Sequence, residues 1–223
     1  MNIAVVTGAS SGIGREFARR LDSANLDEMW IIARRKERLI QLAAELRTPA
    51  RVMPIDLADG RAIEHVEALL KEHSPTVMWL INSAGFGRVG TFEELPRETV
   101  LGMVDVNIRA LTHLTHIAIP HMTRGSHIVQ VASSAGYQPL GCFAVYAAGK
   151  AYVISLSYAL AAELRLKGIH TMVMAPGPVR TEFSSISRED PGWHKAVLTK
   201  ESDVGAVVAE ALRGAELALL ILR

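Results

Sequence analysis

Ile3 to Thr7 is an unbroken apolar, β-branched run that stops at Gly8-Ala-Ser-Ser-Gly12-Ile-Gly14 and passes directly into Phe17, Ala18 and Leu21 at helical spacing. A strand, a tight glycine turn and a helix satisfy this order. Glycine lets the backbone turn sharply and approach a ligand closely, and the helix that follows presents unpaired N–H groups and its positive dipole end. The turn is therefore a predicted phosphate cradle formed by Gly8, Ser10, Ser11, Gly12, Ile13 and Gly14. Its spacing, Gly-x-x-x-Gly-x-Gly, differs from the Gly-x-Gly-x-x-Gly dinucleotide fingerprint, although the mechanics are shared.

The same alternation runs to the end of the chain. Short apolar runs at Met29–Ala33, Arg51–Ile55, Val77–Ile81, Ser126–Val131, Ile169–Met174 and Leu217–Leu222 read as further strands. Between them, Leu39, Leu42, Ala43 and Leu46 mark one helix, and Ile63, Val66, Leu69 and Leu70 another across Asp59–Glu72. Pro96–Met122 reads as one long helical region containing Asn107, Ala144–Lys167 as a second long helix, and Val204–Leu212 as the last. Alternating strands and helices predict an α/β fold, a parallel sheet of about seven strands with helices on both faces. No repeat, linker or shift in composition divides the chain, so residues 1–223 are expected to form a single domain.

Composition narrows the partners. Net charge is +1 over 223 residues, and no basic stripe is present to neutralise a row of phosphates, which disfavours nucleic acid. The one cysteine, Cys142, excludes an intramolecular disulfide and a cysteine metal cluster. His113, His116 and His121 have no carboxylate or cysteine beside them at ligand spacing, so no metal is expected. The first strand begins too early for a signal peptide and no apolar run approaches the length of a membrane span, so the chain reads as cytoplasmic, acting on a small molecule.

Two junctions carry further information. At the end of the second strand, Ala33 is followed by Arg34 and Arg35, where a dinucleotide fold meets the adenosine ribose. Guanidinium groups suit a 2′-phosphate, which predicts NADP(H) over NAD(H); the solvated start of a helix is the alternative reading. Farther on, Tyr146 and Lys150 stand four apart in a predicted helix, on one face, with Ser133 thirteen residues before the tyrosine. A cation beside a phenol favours the phenolate and makes a tunable proton donor, although Tyr-x-x-x-Lys also arises by chance.

Taken together, Thr7-Gly-Ala-Ser-Ser-Gly-Ile-Gly14, Asp56-Leu57, Asn82-Ser-Ala-Gly85, Asn107, Ser133, Tyr146-x-x-x-Lys150 and Pro176-Gly-Pro-Val-Arg-Thr181 resemble the short-chain dehydrogenase/reductase family in order and spacing. The resemblance implies a Rossmann-type doubly wound parallel sheet, a nicotinamide dinucleotide, and hydride transfer between it and an alcohol or carbonyl. It implies a catalytic set of Asn107, Ser133, Tyr146 and Lys150: Tyr146 as general acid or base, Lys150 lowering its pKa and holding the ribose, Ser133 binding the substrate oxygen, Asn107 supporting a proton relay. Ser10 and Arg34 would lie near the 2′-phosphate, Asp56 and Leu57 beside adenine, and Asn82, Ala84 and Gly85 on the adenosine side. Pro176, Gly177, Val179 and Thr181 would meet the nicotinamide carboxamide.

Ser83 replaces a common asparagine, and the turn lacks the basic residue of many NADP-preferring members. Members often continue beyond the seventh strand into substrate-site or subunit contacts, and a homodimer or homotetramer is expected. The substrate pocket would be lined by residues 83–90, 136–143 and the polar stretch 183–200, a candidate flap. Phe86, Tyr137, Leu140, Phe143 and Trp193 within these suggest an apolar substrate. A dinucleotide-sensing regulator without redox turnover is the alternative.

Overall fold

The computed structural model describes residues 1–183, 201–216 and 221–222. Seven parallel strands form one sheet: β1 (Asn2–Thr7), β2 (Glu28–Ala33), β3 (Ala50–Pro54), β4 (Thr76–Asn82), β5 (His127–Val131), β6 (His170–Met174) and the two-residue β7 (Ile221–Leu222). Their order is β3-β2-β1-β4-β5-β6-β7. The direction of winding reverses between β1 and β4, so a crevice opens at the carboxyl ends of those two strands.

Successive side chains of each strand point to opposite faces, and both faces are apolar. Ala4, Val6, Ile31, Ile81, Val129 and Met172 face one side, against Phe17 and Leu21 of α1 (Gly12–Leu21), Leu39 and Leu42 of α2 (Lys36–Glu45), and Val208 of the C-terminal helix. Ile3, Val5, Trp30, Ile32, Leu80 and Ile128 face the other. There they meet Ile63, Val66 and Leu70 of α3 (Ala62–His73), and Leu114 and Ile117 of the helix preceding β5. Full burial of each such aliphatic or aromatic side chain contributes about 1.5–3 kcal/mol. Covered on both faces, the sheet leaves the crevice and its loops at the carboxyl ends of the strands.

The helix expected across Pro96–Met122 is divided. Pro96 precedes α4 (Arg97–Val104), a π-helical turn follows at Asp105–Ala110, and α5 (Leu111–Ala118) ends in a 3-10 turn at Ile119–His121. The π-turn inserts an extra residue at Asn107 and turns its amide inward, a local feature that hydrophobic spacing does not reveal. The third helix starts at Ala62 rather than Asp59, because the Asp59 carboxylate accepts from Arg61 N (3.0 Å) in a turn before it. α6 (Ala144–Leu164) continues as a 3-10 turn through Lys167, and α7 (Val204–Glu216) is one turn longer than its stripe indicates. Residues 217–220 of the expected last strand lie outside the described residues. Among the described residues, no helix is long and apolar enough to cross a membrane.

Candidate active site

The glycine turn is built as its residue types require. Gly8 (φ +69°) and Gly12 (φ +52°) occupy left-handed backbone. Gly14 packs so tightly on the turn that a Cβ there would lie 2.6 Å from the Gly8 carbonyl oxygen. Thr7 ties the ends of β1 and β4 together: its hydroxyl accepts from Ser83 N and Ala84 N, both at 3.0 Å, and donates to Ile81 O at 3.3 Å. The cradle, the β4 turn and the first helix are therefore one unit.

Beside the turn stands a cation. Arg35 donates through Nη2 to Ser11 Oγ (2.7 Å) and Ser10 Oγ (3.1 Å), and through Nε to Ser10 Oγ (3.2 Å). Its Nη1 meets the Glu182 carboxylate at 2.8 Å, and Arg38 Nη1 meets the other oxygen at 2.5 Å. Arg35, rather than Arg34, thus engages Ser10. Arg34 is exposed on the cleft wall, because consecutive residues leaving a strand point in opposite directions. The Glu182 carboxyl is held below the usual range by hydrogen bonds from Arg35 and then Arg38.

On the opposite side of the cleft, α6 carries Tyr146 and Lys150, both buried. Lys150 Nζ donates to Val131 O at 2.7 Å and lies 5.6 Å from the Tyr146 ring centroid. Burial lowers the Lys150 ammonium to about 8. Burial also pushes the Tyr146 phenol up to about 12, opposed by a hydrogen bond with the Ser133 side chain. In this arrangement desolvation dominates the tyrosine, and the Ser133 hydrogen bond opposes it.

Ser133 caps the 3-10 turn Ser134–Tyr137, its Oγ accepting from Ala135 N at 3.2 Å. That turn presses on α6 at Gly136, where a Cβ would come within 2.7 Å of the Lys150 backbone carbonyl carbon. The missing side chain is what brings Ser133 to Tyr146. Phe143 stacks on the tyrosine ring (centroids 4.4 Å apart) and Phe183 approaches it at 5.4 Å.

Asn107 is buried behind this wall and clamps Phe86, donating from Nδ2 to its carbonyl (2.8 Å) and accepting its N–H at Oδ1 (3.0 Å). A Cβ on Gly85 would lie 2.7 Å from Asn107 Oδ1 and 3.5 Å from Lys150 Nζ. Glycine at 85 thus leaves room for the asparagine and the lysine to flank one backbone position. Asn82 is buried too, donating to Thr115 Oγ1 at 2.9 Å; Thr115 also receives Gln130 Nε2 at 3.0 Å.

One cleft of about 1300 Å³ joins these parts. Of the expected residues, Gly8, Ser10, Ser11, Gly12, Ile13, Arg34, Arg35, Asp56, Leu57, Ala84 and Gly85 line the half beside the glycine turn, and Ser133, Tyr146, Lys150, Pro176, Gly177, Val179 and Thr181 the other. Gly14, Asn82 and Asn107 stand behind the wall as supports. Tyr137 turns away, exposed, toward a separate shallow pocket, and Trp193 lies outside the described residues, as do 184–200 of the expected flap. Glu98, Thr99, Gly102 and Val106 join the lining from α4 and the π-turn, which only the divided helix could disclose. Among the described residues, no cluster of His, Cys, Asp or Glu is placed to hold a metal ion.

The family model for short chain dehydrogenases matches residues 2–192. The chain belongs to the short-chain dehydrogenase family. Sulfoacetaldehyde reductase 2 of Chromohalobacter salexigens is 34% identical to this short-chain dehydrogenase over 191 residues, 83% of the chain and 75% of the relative. An uncharacterized oxidoreductase of Staphylococcus epidermidis is 32% identical over 184 residues, 82% and 80% of the two chains. Among solved structures, a short-chain dehydrogenase from Sphingobium yanoikuyae in complex with NADPH superposes with a TM-score of 0.88 at 30% identity, covering 99% of this chain and 87% of the other. The bulky-bulky ketone specific alcohol dehydrogenase from Comamonas testosteroni gives 0.82 at 28% identity, covering 99% and 85%.

Proposed function

We propose that this short-chain dehydrogenase is an NADP(H)-dependent oxidoreductase acting on the carbonyl or secondary alcohol of a small, apolar substrate, with Ser133, Tyr146, Lys150 and Asn107 as its catalytic set. The observation that carries this reading is the convergence of Ser133, Tyr146 and Lys150 on the cleft whose far half is the glycine turn. The names of two similar proteins, a sulfoacetaldehyde reductase and a ketone-specific alcohol dehydrogenase, support the carbonyl–alcohol reaction, while the apolar substrate rests on the lining of the cleft alone.

The residues present fit a phosphorylated dinucleotide. Two left-handed glycines bare the backbone at the start of α1, and Arg35 with the Ser10 and Ser11 hydroxyls supplies donors suited to a phosphomonoester. Gly8 to Gly14 would hold the pyrophosphate, Asp56, Leu57, Ala84 and Gly85 the adenosine, and Lys150 with Pro176, Gly177, Val179 and Thr181 the nicotinamide end. When bound, the dinucleotide supplies or accepts the hydride.

Tyr146 handles the proton. A phenol with a pKa of about 12 stays protonated at neutral pH, so in reduction it donates from Oη as negative charge grows on the substrate oxygen. The Ser133 hydroxyl steadies that oxygen and the tyrosine together. Lys150, charged below about pH 8, favours loss of the phenolic proton once it turns from Val131 O toward the site. Asn107 holds Phe86 and Gly85 in place beside Lys150 and supports proton relay from it. Phe86, Leu140 and Phe143 in the cleft favour an apolar substrate.

The chain would act as one domain over residues 1–223, in the cytoplasm. Assembly as a homodimer or homotetramer is supported by Ala148, Ala151, Tyr152, Ser155 and Tyr158, exposed along one side of the otherwise apolar α6.

The test is NADPH oxidation against a panel of aldehydes, ketones and quinones. Tyr146→Phe should abolish turnover and retain NADPH binding. Equal turnover by that variant overturns the mechanism, tighter binding of NADH than NADPH overturns the cofactor, and binding without turnover on any substrate supports a regulator instead.

A further inference from the structure

The anion on Arg35 and Arg38 comes from the chain itself. Both oxygens of Glu182 are engaged, one by each guanidinium, at 2.8 and 2.5 Å. The Arg35 that binds Glu182 through Nη1 binds the Ser10 and Ser11 hydroxyls through its remaining nitrogens. Glu182 itself lines the cleft, next to Thr181, whose methyl would stand 3.1 Å from a Cβ on Gly12 of the glycine turn. A carboxylate therefore occupies the cation pair at the place where the second strand ends beside the cradle. A phosphomonoester and a carboxylate compete for the same guanidinium donors, because both are bidentate anions.

Building on the NADP(H) reading, we propose that Glu182 is a specificity-determining residue, an internal competitor for Arg35 and Arg38 that weakens binding of a 2′-phosphate and leaves binding of a free 2′-hydroxyl untouched. A dinucleotide with a 2′-phosphate must displace the carboxylate from two cations before it uses them. One with a 2′-hydroxyl leaves both ion pairs in place. Glu182 thus narrows the preference that the arginines create, and the chain discriminates less than its cationic side chains alone would.

Neutralising the competitor tests this. Adenosine 2′,5′-bisphosphate and 5′-AMP, which differ in the 2′-phosphate, are titrated by calorimetry into the unmodified protein, Glu182→Gln and Arg35→Gln. Two partly exposed ion pairs are worth about a five- to tenfold change together, so Glu182→Gln should tighten the bisphosphate by about that factor and leave 5′-AMP unchanged. Glu182→Ala should do the same, which separates lost charge from a contact made by the new amide. Should both variants leave the bisphosphate unchanged, or shift the two ligands equally, the role of Glu182 is overturned. If the unmodified protein prefers the bisphosphate and Arg35→Gln removes that preference, the NADP(H) reading survives such a failure. If the unmodified protein and Glu182→Gln both bind the two ligands alike, the reading and the proposal fall together.

Discussion

Asn107 grips Phe86 by both ends of its peptide group, accepting at 3.0 Å and donating at 2.8 Å, as a neighbouring strand would. A buried asparagine thereby continues the sheet's hydrogen bonding beyond β4, into the loop that floors the cleft. The π-turn is the distortion that lets a helix present this amide edge-on.

Replacing Asn107 with leucine should unfold the protein more easily. The Phe86 N–H and carbonyl would both lose their partner in a partly buried setting, at a cost of about 1 kcal/mol for each bond, since water in the cleft can reach the freed groups in part. Urea denaturation would measure the loss, and kcat should fall as well because Gly85 beside Lys150 loses its support. An unchanged midpoint would remove Asn107 from this structural role.

The lysine makes a pH prediction. Its ammonium is lowered to about 8 by burial, so Lys150 is charged below that value and neutral above it. If its charge assists proton donation by Tyr146, kcat/KM for carbonyl reduction should be level toward neutral pH and fall as pH rises through about 8. Lys150→Arg, which stays charged, should show a smaller rate without that fall. A falling limb that persists in the arginine variant belongs to another group.

Gly14→Ala should be severe and Gly141→Ala silent. At Gly14 a Cβ would sit 2.6 Å from Gly8 O, and backbone has to shift to admit it. Overpacking of this kind costs about 1–3 kcal/mol and would also open the glycine turn. At Gly141 a Cβ meets nothing within 4 Å. Thermal melts and NADPH binding of the two variants, compared side by side, check the contrast.

At the far end of the sheet, Trp79, His127 and His170 stack across adjacent strands, with centroids 4.1 and 5.1 Å apart. Burial first, and the neighbouring His170 second, lower His127 to about 4. The folded state therefore binds fewer protons than the unfolded chain at mildly acid pH. The stabilising effect of a neutral His127 is complete above its ordinary pKa of about 6.5 and is lost progressively as pH falls toward 4. His127→Gln should flatten the stability profile over this interval in denaturant titrations. A profile as steep as that of the unmodified protein would place the titrating group elsewhere.

Much of the fold follows from local order in the sequence. Apolar runs alternating with helical stripes define the strands and most helices because burial on both sheet faces demands that periodicity, and Gly8 to Gly14 mark the turn because only glycine tolerates φ values such as +69° and +52° there. Tyr146 and Lys150 were legible as a pair since helix geometry alone places i and i+4 together.

What the tertiary structure decided lies between elements distant in the chain. Which arginine turns to Ser10, the capture of Glu182 by Arg35 and Arg38, and the insertion that aims Asn107 at Phe86 depend on strand direction and loop packing. Local propensity carries no record of these. The electrostatics of the pair were decided there too. Spacing places a cation beside a phenol, but the depth to which the fold buries both raises the tyrosine toward 12, lowers the lysine toward 8 and leaves Ser133 as the hydrogen-bond partner of the phenol.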